Sequence, residues 1–100
     1  MHYAMELVTF AIFEDAEPGF LAANAAVNNW LRRQPGFVSR QLVRKDDGGW
    51  IDLVTWTNEA AAKSAASRML PKVGQDDAMR PVDCPSVCGA HAAIGLSFSA

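Results

Sequence analysis

The order of elements in this 100-residue chain, β-α-β-β-α-β, predicts an α+β fold of the ferredoxin-like kind. In that fold two helices cover one face of a four-stranded antiparallel sheet. Three observations predict it. "MELVTFAIF" (5–13) is rich in β-branched and aromatic residues, as a strand should be. Two similar runs flank "DDGG" (46–49). Two stretches with helical period separate and follow these strands.

Residues 5–13 form a near-continuous apolar run, which predicts a first strand buried on both faces. "PGFLAANAAVNNWLRRQPG" (18–36) follows as a helix. Pro18 suits its first turn. Phe20, Ala23, Val27, Trp30 and Leu31 recur at three- and four-residue spacing, with Asn24 on the same stripe. Arg32 and Arg33 suit the helix C-terminus, and Pro35-Gly36 ends it. "FVSRQLVRK" and "WIDLVTWT" then make a hairpin about Asp-Gly. Pairing Lys45 with Trp50 puts Phe37, Ser39, Gln41 and Val43 beside Trp50, Asp52, Val54 and Trp56. A one-residue change of register would re-pair the two sets. The second helix, 57–70, takes Thr57 or Asn58 as its cap and presents Ala62, Ala65, Ala66 and Met69 to the sheet. Pro71 marks its end. A loop over 72–81 leads to a last strand at 87–98, where Gly89 and Gly95 suggest bulges or bends.

One domain spanning 1–100 is expected from the length. The net charge is −2, and no basic run exceeds the two residues of Arg32-Arg33, so nucleic acid is not an expected partner. No apolar run approaches the roughly 20 residues of a membrane span. The N-terminus lacks the pattern of a signal peptide. A cytoplasmic protein with two free thiols is the expectation. Many of the apolar residues are alanine, so three Trp and five Phe carry much of the burial. A sheet with large apolar groups on both faces needs a second cover, and another copy of the chain would supply it.

The element order, "QPGFVSRQL" (34–42) and "DLVTWTNEAAAKSA" (52–65) resemble the antibiotic-biosynthesis-monooxygenase-like family of dimeric α/β-barrel proteins. Pro35-Gly36-Phe37 and Trp56, placed just before an Ala-rich helix, are the best local signals. The resemblance covers most of the chain. It implies a homodimer whose sheets face each other as a barrel, and a cavity in each subunit between sheet and helices. Family members include cofactor-free oxygenases of aromatic polyketides and haem-degrading enzymes. The haem-degrading members use an Asn in the first strand and a Trp and a His on the second helix. This chain has none of these at the matching places, so the haem reading is disfavoured.

Cys84, Cys88 and His91 form C-x3-C-x2-H, three potential zinc ligands where a structural site wants four. Alternation along a strand also sends Cys88 and His91 to opposite faces unless Gly89 is bulged. The spacing departs from the C-x-x-C of redox helices as well. No metal is therefore expected. His91 remains as an acid/base group facing the cavity, or as a strand histidine bonded to a neighbour. Asp52, mid-strand among apolar residues, is either a second base or the partner of Arg40 or Arg44 across the hairpin. Asn24, Trp30 and Trp56 would bind a planar substrate, or else belong to the core.

The resemblance implies a cofactor-free monooxygenase, or a related enzyme, acting on an aromatic, polyketide-like molecule, in which Asp52 or His91 would take a proton. The alternative is a non-catalytic homodimer that binds a small ligand.

Overall fold

The computed structural model describes residues 3–73 and 81–100. The described elements are β1 (Ala4–Ile12), α1 (Glu17–Arg32), β2 (Phe37–Arg44), β3 (Trp50–Trp56), α2 (Glu59–Val73) and β4 (Val82–Ala93). The strands form one antiparallel sheet in the order β2-β3-β1-β4, with both helices on one face. This is the predicted ferredoxin-like layout.

Helix α1 buries Phe20, Asn24, Val27 and Leu31, the stripe its period dictates. It ends in a turn closed by the Phe37 N–H donating to the Gln34 carbonyl at 3.2 Å. Pro35 and Gly36 occupy the central positions, and Gly36 has φ +84°. That is the signature of a type II turn. Asn58 caps α2, its Oδ1 accepting the Ala61 N–H at 2.7 Å. Ala62 and Ala65 are fully buried, so this helix lies close to the sheet. The helix continues to Val73, two residues past the end expected at Pro71. A proline in the last turn forfeits its own backbone bond and leaves the following residues free to stay helical. Most of the loop expected over 72–81 lies outside the described residues.

The hairpin corrects the expected register. The Lys45 N–H donates to the Gly49 carbonyl at 2.7 Å, and the Gly48 N–H to the Lys45 carbonyl at 3.0 Å. Gly48 has φ +87°. This is a type I turn followed by a glycine bulge. It is reinforced by Asp47 Oδ1, which accepts the Gly49 N–H at 2.9 Å. That bond, with Lys45 beside it, holds the Asp47 carboxyl below the usual aspartate range. The bulged turn pairs Arg44, rather than Lys45, with Trp50. A second bulge at Val38 restores Phe37 to Trp56. The helix-facing side of β2 therefore carries Phe37, Arg40, Leu42 and Arg44, instead of Phe37, Ser39, Gln41 and Val43.

Strand β4 differs from its expected span of 87–98. It starts at Val82, which pairs with Ile12, and ends at Ala93, which pairs with Ala4. One further bond follows, the Ile94 N–H donating to the Tyr3 carbonyl at 2.8 Å, and beyond it Leu96 and Phe98 lie exposed. Pro85 is tolerated because β4 is an edge strand. Residues 84–87 bulge out between Asp83↔Ala11 and Cys88↔Thr9. The Ser86 hydroxyl fills the gap in the ladder, accepting the Ala11 N–H at 2.8 Å and donating to the Asp83 carbonyl. The irregularity thus precedes Gly89, which sits in a regular ladder opposite Val8.

Two clusters make up the core between sheet and helices. One joins Val27, Leu31, Val54, Trp56, Ala62 and Ala65, and the other Phe20, Trp50 and Val82. The opposite face of the sheet bears Leu7, Leu53, Ile51 and Val43. Leu7 and Val43 are exposed in the single chain. Among the described residues no helix is long and apolar enough to cross a membrane.

Candidate active site

The helix-facing side of the sheet should be apolar, since the core rests on it. One cross-strand row breaks that rule at three of its four positions. It runs Arg40, Val54, Glu6, His91 across β2, β3, β1 and β4. The adjacent row runs Leu42, Asp52, Val8, Gly89. Arg40 and Glu6 flank Val54, so their backbones are about 10 Å apart at ordinary strand spacing. Asp52 lies diagonal to Glu6, about 7–8 Å along the sheet.

Asp52 grips Arg40 through both carboxylate oxygens. Arg40 Nε donates to Oδ1 at 2.9 Å and Nη2 to Oδ2 at 2.8 Å. Such planar, bidentate pairing fixes the guanidinium orientation. Helix α1 completes the arrangement. Arg40 Nη2 donates to Asn24 Oδ1 and Nη1 to Asn28 Oδ1, both at 2.8 Å. Asn24 is itself held by its amide, which donates to the Phe20 carbonyl at 2.8 Å. A guanidinium has five N–H donors. Four are used here, which leaves one on Nη1. The Arg40 side chain is only 9% exposed, while Asn28 lies at the exposed end of the cluster.

His91 meets Glu6, its direct partner in the ladder, with 2.9 Å between Nε2 and Oε2. The Glu6 side chain is 12% exposed and that of His91 26%. The donor in this contact depends on the imidazole tautomer, and an ionised carboxylate would pair with the one that carries its proton on Nε2.

Trp56 is buried within the core and stacks edge-on against Phe37 at 5.8 Å. Its indole Nε1–H is buried without a hydrogen-bond partner among the described residues. Trp30 is half-buried on α1 and packs against the same core cluster. Of the five residues the sequence singles out, Asn24 and Asp52 meet through Arg40. His91 lies on the same side of the sheet, two strands from Asp52. Trp30 and Trp56 lie in the core cluster beside Val54. Cys88 and His91 fall on opposite faces, because the ladder is regular from Cys88 to Ala93. Among the described residues no cluster of His, Cys, Asp or Glu is grouped to hold a metal.

No family model matches the sequence, and no curated protein matches it. Solved structures do match. MhuD from Mycobacterium tuberculosis, a heme-degrader with two hemes bound in its active site, superposes with a TM-score of 0.78 at 15% identity. That match covers 96% of this chain and 99% of MhuD. SnoaB from Streptomyces nogalater, a cofactor-independent oxygenase, gives 0.69 at 21% identity over 99% of this chain and 97% of SnoaB. The monooxygenase from the gene ActVA-Orf6 of Streptomyces coelicolor, in complex with nanaomycin D, gives 0.70 at 19% over 99% and 93%. The chain has the antibiotic-biosynthesis-monooxygenase fold.

On this antibiotic-biosynthesis-monooxygenase fold, the sequence reading named Asp52 and His91 but missed Glu6 as a site residue and kept Arg40 only as one possible partner. Each had a signal. Glu6 is the one charged residue in the run 5–13. Arg40 falls on the Asp52 face once Arg44 pairs with Trp50.

Proposed function

We propose that this chain is a cofactor-free monooxygenase for an aromatic, polyketide-like substrate, acting as a homodimer joined through the exposed sheet face. The observation that carries the reading is the polar row itself. A histidine and a rigidly held arginine lie on the side of the sheet where a core would otherwise be wholly apolar. The neighbours SnoaB and ActVA-Orf6 lend support from the fold.

His91 takes the proton in this reading. Asp52 has both oxygens engaged by Arg40, so its role is to hold that guanidinium. The spare Nη1–H of Arg40 and the unpartnered Nε1–H of Trp56 are donors suited to substrate oxygens. Asn24 locks Arg40 from the helix side, and Trp30 contributes an apolar wall. With an anthrone, the benzylic C–H bond breaks and its proton passes to His91. The carbanion reduces O2, forming a C–O bond to a peroxide. Loss of water from that peroxide leaves the quinone, so one O2 is consumed for each quinone and each water formed.

Haem fits poorly. Axial ligation wants His, Cys, Met or Tyr. The described part of α2 offers only Met69, which packs against the core.

A binding protein without turnover is the second reading, favoured by one observation: Asp52 and His91 both have protein partners already. Oxygen uptake separates the two. Anthrone-type substrates in air are expected to consume one O2 per quinone, and His91→Ala to lower the rate by about 10²–10⁴-fold. Tight ligand binding with no uptake across such a panel would establish the second reading instead. Light scattering on the purified chain is expected to give twice the chain mass, and a monomer at micromolar concentration would remove the dimer from the proposal.

A further inference from the structure

We infer that Glu6 is a positioning residue that orients His91 as a base, an inference that rests on the oxygenase reading for its chemistry but not for its geometry. A carboxylate in an apolar setting is costly unless it is bonded to a partner. Glu6 lies between buried Val54 and His91 in the ladder, with fully buried Ala4 two residues before it. The nearest cation on its row, Arg40, is committed to Asp52, Asn24 and Asn28. Among the described residues, Glu6 is bonded only to His91.

That exclusivity has a chemical result. An arginine partner would neutralise Glu6 and leave His91 free to turn. With the imidazole as partner, Glu6 holds the proton on Nε2 and leaves the Nδ1 lone pair to accept another. Among the described residues no donor bonds Nδ1. The arrangement follows the logic by which a buried carboxylate fixes the tautomer of a catalytic imidazole and stabilises the imidazolium formed when it takes a proton. Adjacent strands supply both groups, so the register of β1 on β4 sets the contact without any loop.

Nuclear magnetic resonance tests this independently of turnover. The chain holds two histidines, so His91 is assigned by comparison with His91→Ala. Wild-type protein is expected to show a downfield, slowly exchanging proton on Nε2 of His91. Glu6→Leu is expected to abolish it, and Glu6→Gln, which keeps the shape of the side chain, to move it upfield. A proton found on Nδ1, or an Nε2 signal unchanged in Glu6→Leu, overturns the inference. In oxygen-uptake assays both variants should lose kcat on the order of 10²-fold while KM stays within about 2-fold, the pattern of an oriented base. Equal kcat in Glu6→Gln and wild type also overturns it. If the Nε2 signature holds but no variant, wild type included, turns over anthrones, the oxygenase reading fails and the pairing of Glu6 with His91 stands.

Discussion

Gly36→Ala is expected to destabilise the fold by about 3 kcal/mol or more, combining backbone strain with overpacking. Gly36 holds φ +84°, a conformation that a Cβ disfavours. A Cβ there would also lie 2.6 Å from Ala61 Cβ and 2.7 Å from Thr57 Oγ1. Neither neighbour yields easily. Ala61 Cβ is fixed to the backbone of α2, and the Thr57 N–H donates to the Gly36 carbonyl at 2.8 Å. The turn after α1 is thus packed directly against Thr57 and the first turn of α2. Gly19→Ala is the control, since nothing lies within 4 Å of its would-be Cβ. It should be neutral or stabilise by up to about 1 kcal/mol. Denaturant midpoints of the two variants check this, and a loss below about 1 kcal/mol for Gly36→Ala would contradict the packing described.

Arg40→Met should cost about 3 kcal/mol, the lower end for breaking a buried ion pair, because Asp52 keeps a fifth of its exposure. The loss comes from what is stranded. Asp52 keeps its charge without a counterion, and Asn24, buried on α1, loses the donor to its Oδ1. Removing the stranded charge as well reverses most of this. Arg40→Met with Asp52→Leu is expected to lie within about 1–2 kcal/mol of wild type, since apolar replacements of buried pairs are often neutral while Asn24 Oδ1 stays without its donor. A double-mutant cycle by urea unfolding measures the coupling. Additive losses would mean that the two side chains do not depend on each other. Near-wild-type stability in the double variant, with oxygen uptake lost, would place the value of this pair in function rather than folding.

The fold was legible because its signals are long. A 3.6-residue stripe on α1, an Ala-rich α2 and a strand-rich hairpin about Asp-Gly each exceed the noise of single residues. The register was not legible, because it hinges on one residue at each of two places. The glycine bulge at Gly48 and the extra residue at Val38 together move Arg40 and Leu42 to the Asp52 face while leaving Phe37 beside Trp56. Local sequence shows a turn near 46–49 but does not say how many residues it spans. The same limit governed the candidate site. Asp52 and His91 stand out as polar residues within strands, yet Arg40 and Glu6 gain meaning only from their cross-strand neighbours. The 84–87 bulge hid for a similar reason. Its cause is a proline together with a serine that bonds a strand 75 residues away.

Both edges of the sheet are interrupted, β2 at Val38 and β4 over 84–87 with Pro85 inside the bulge. An edge strand with an unbroken row of free N–H and C=O groups invites another chain to continue the sheet. Here an incoming strand would find at most six residues in regular register on either side, 39–44 on β2 and 88–93 on β4. The two bulges therefore shorten the template that either edge offers to end-to-end growth, in a chain half of whose residues are apolar. The exposed apolar groups lie instead on the flat of the sheet, where Leu7 and Val43 face away from the helices.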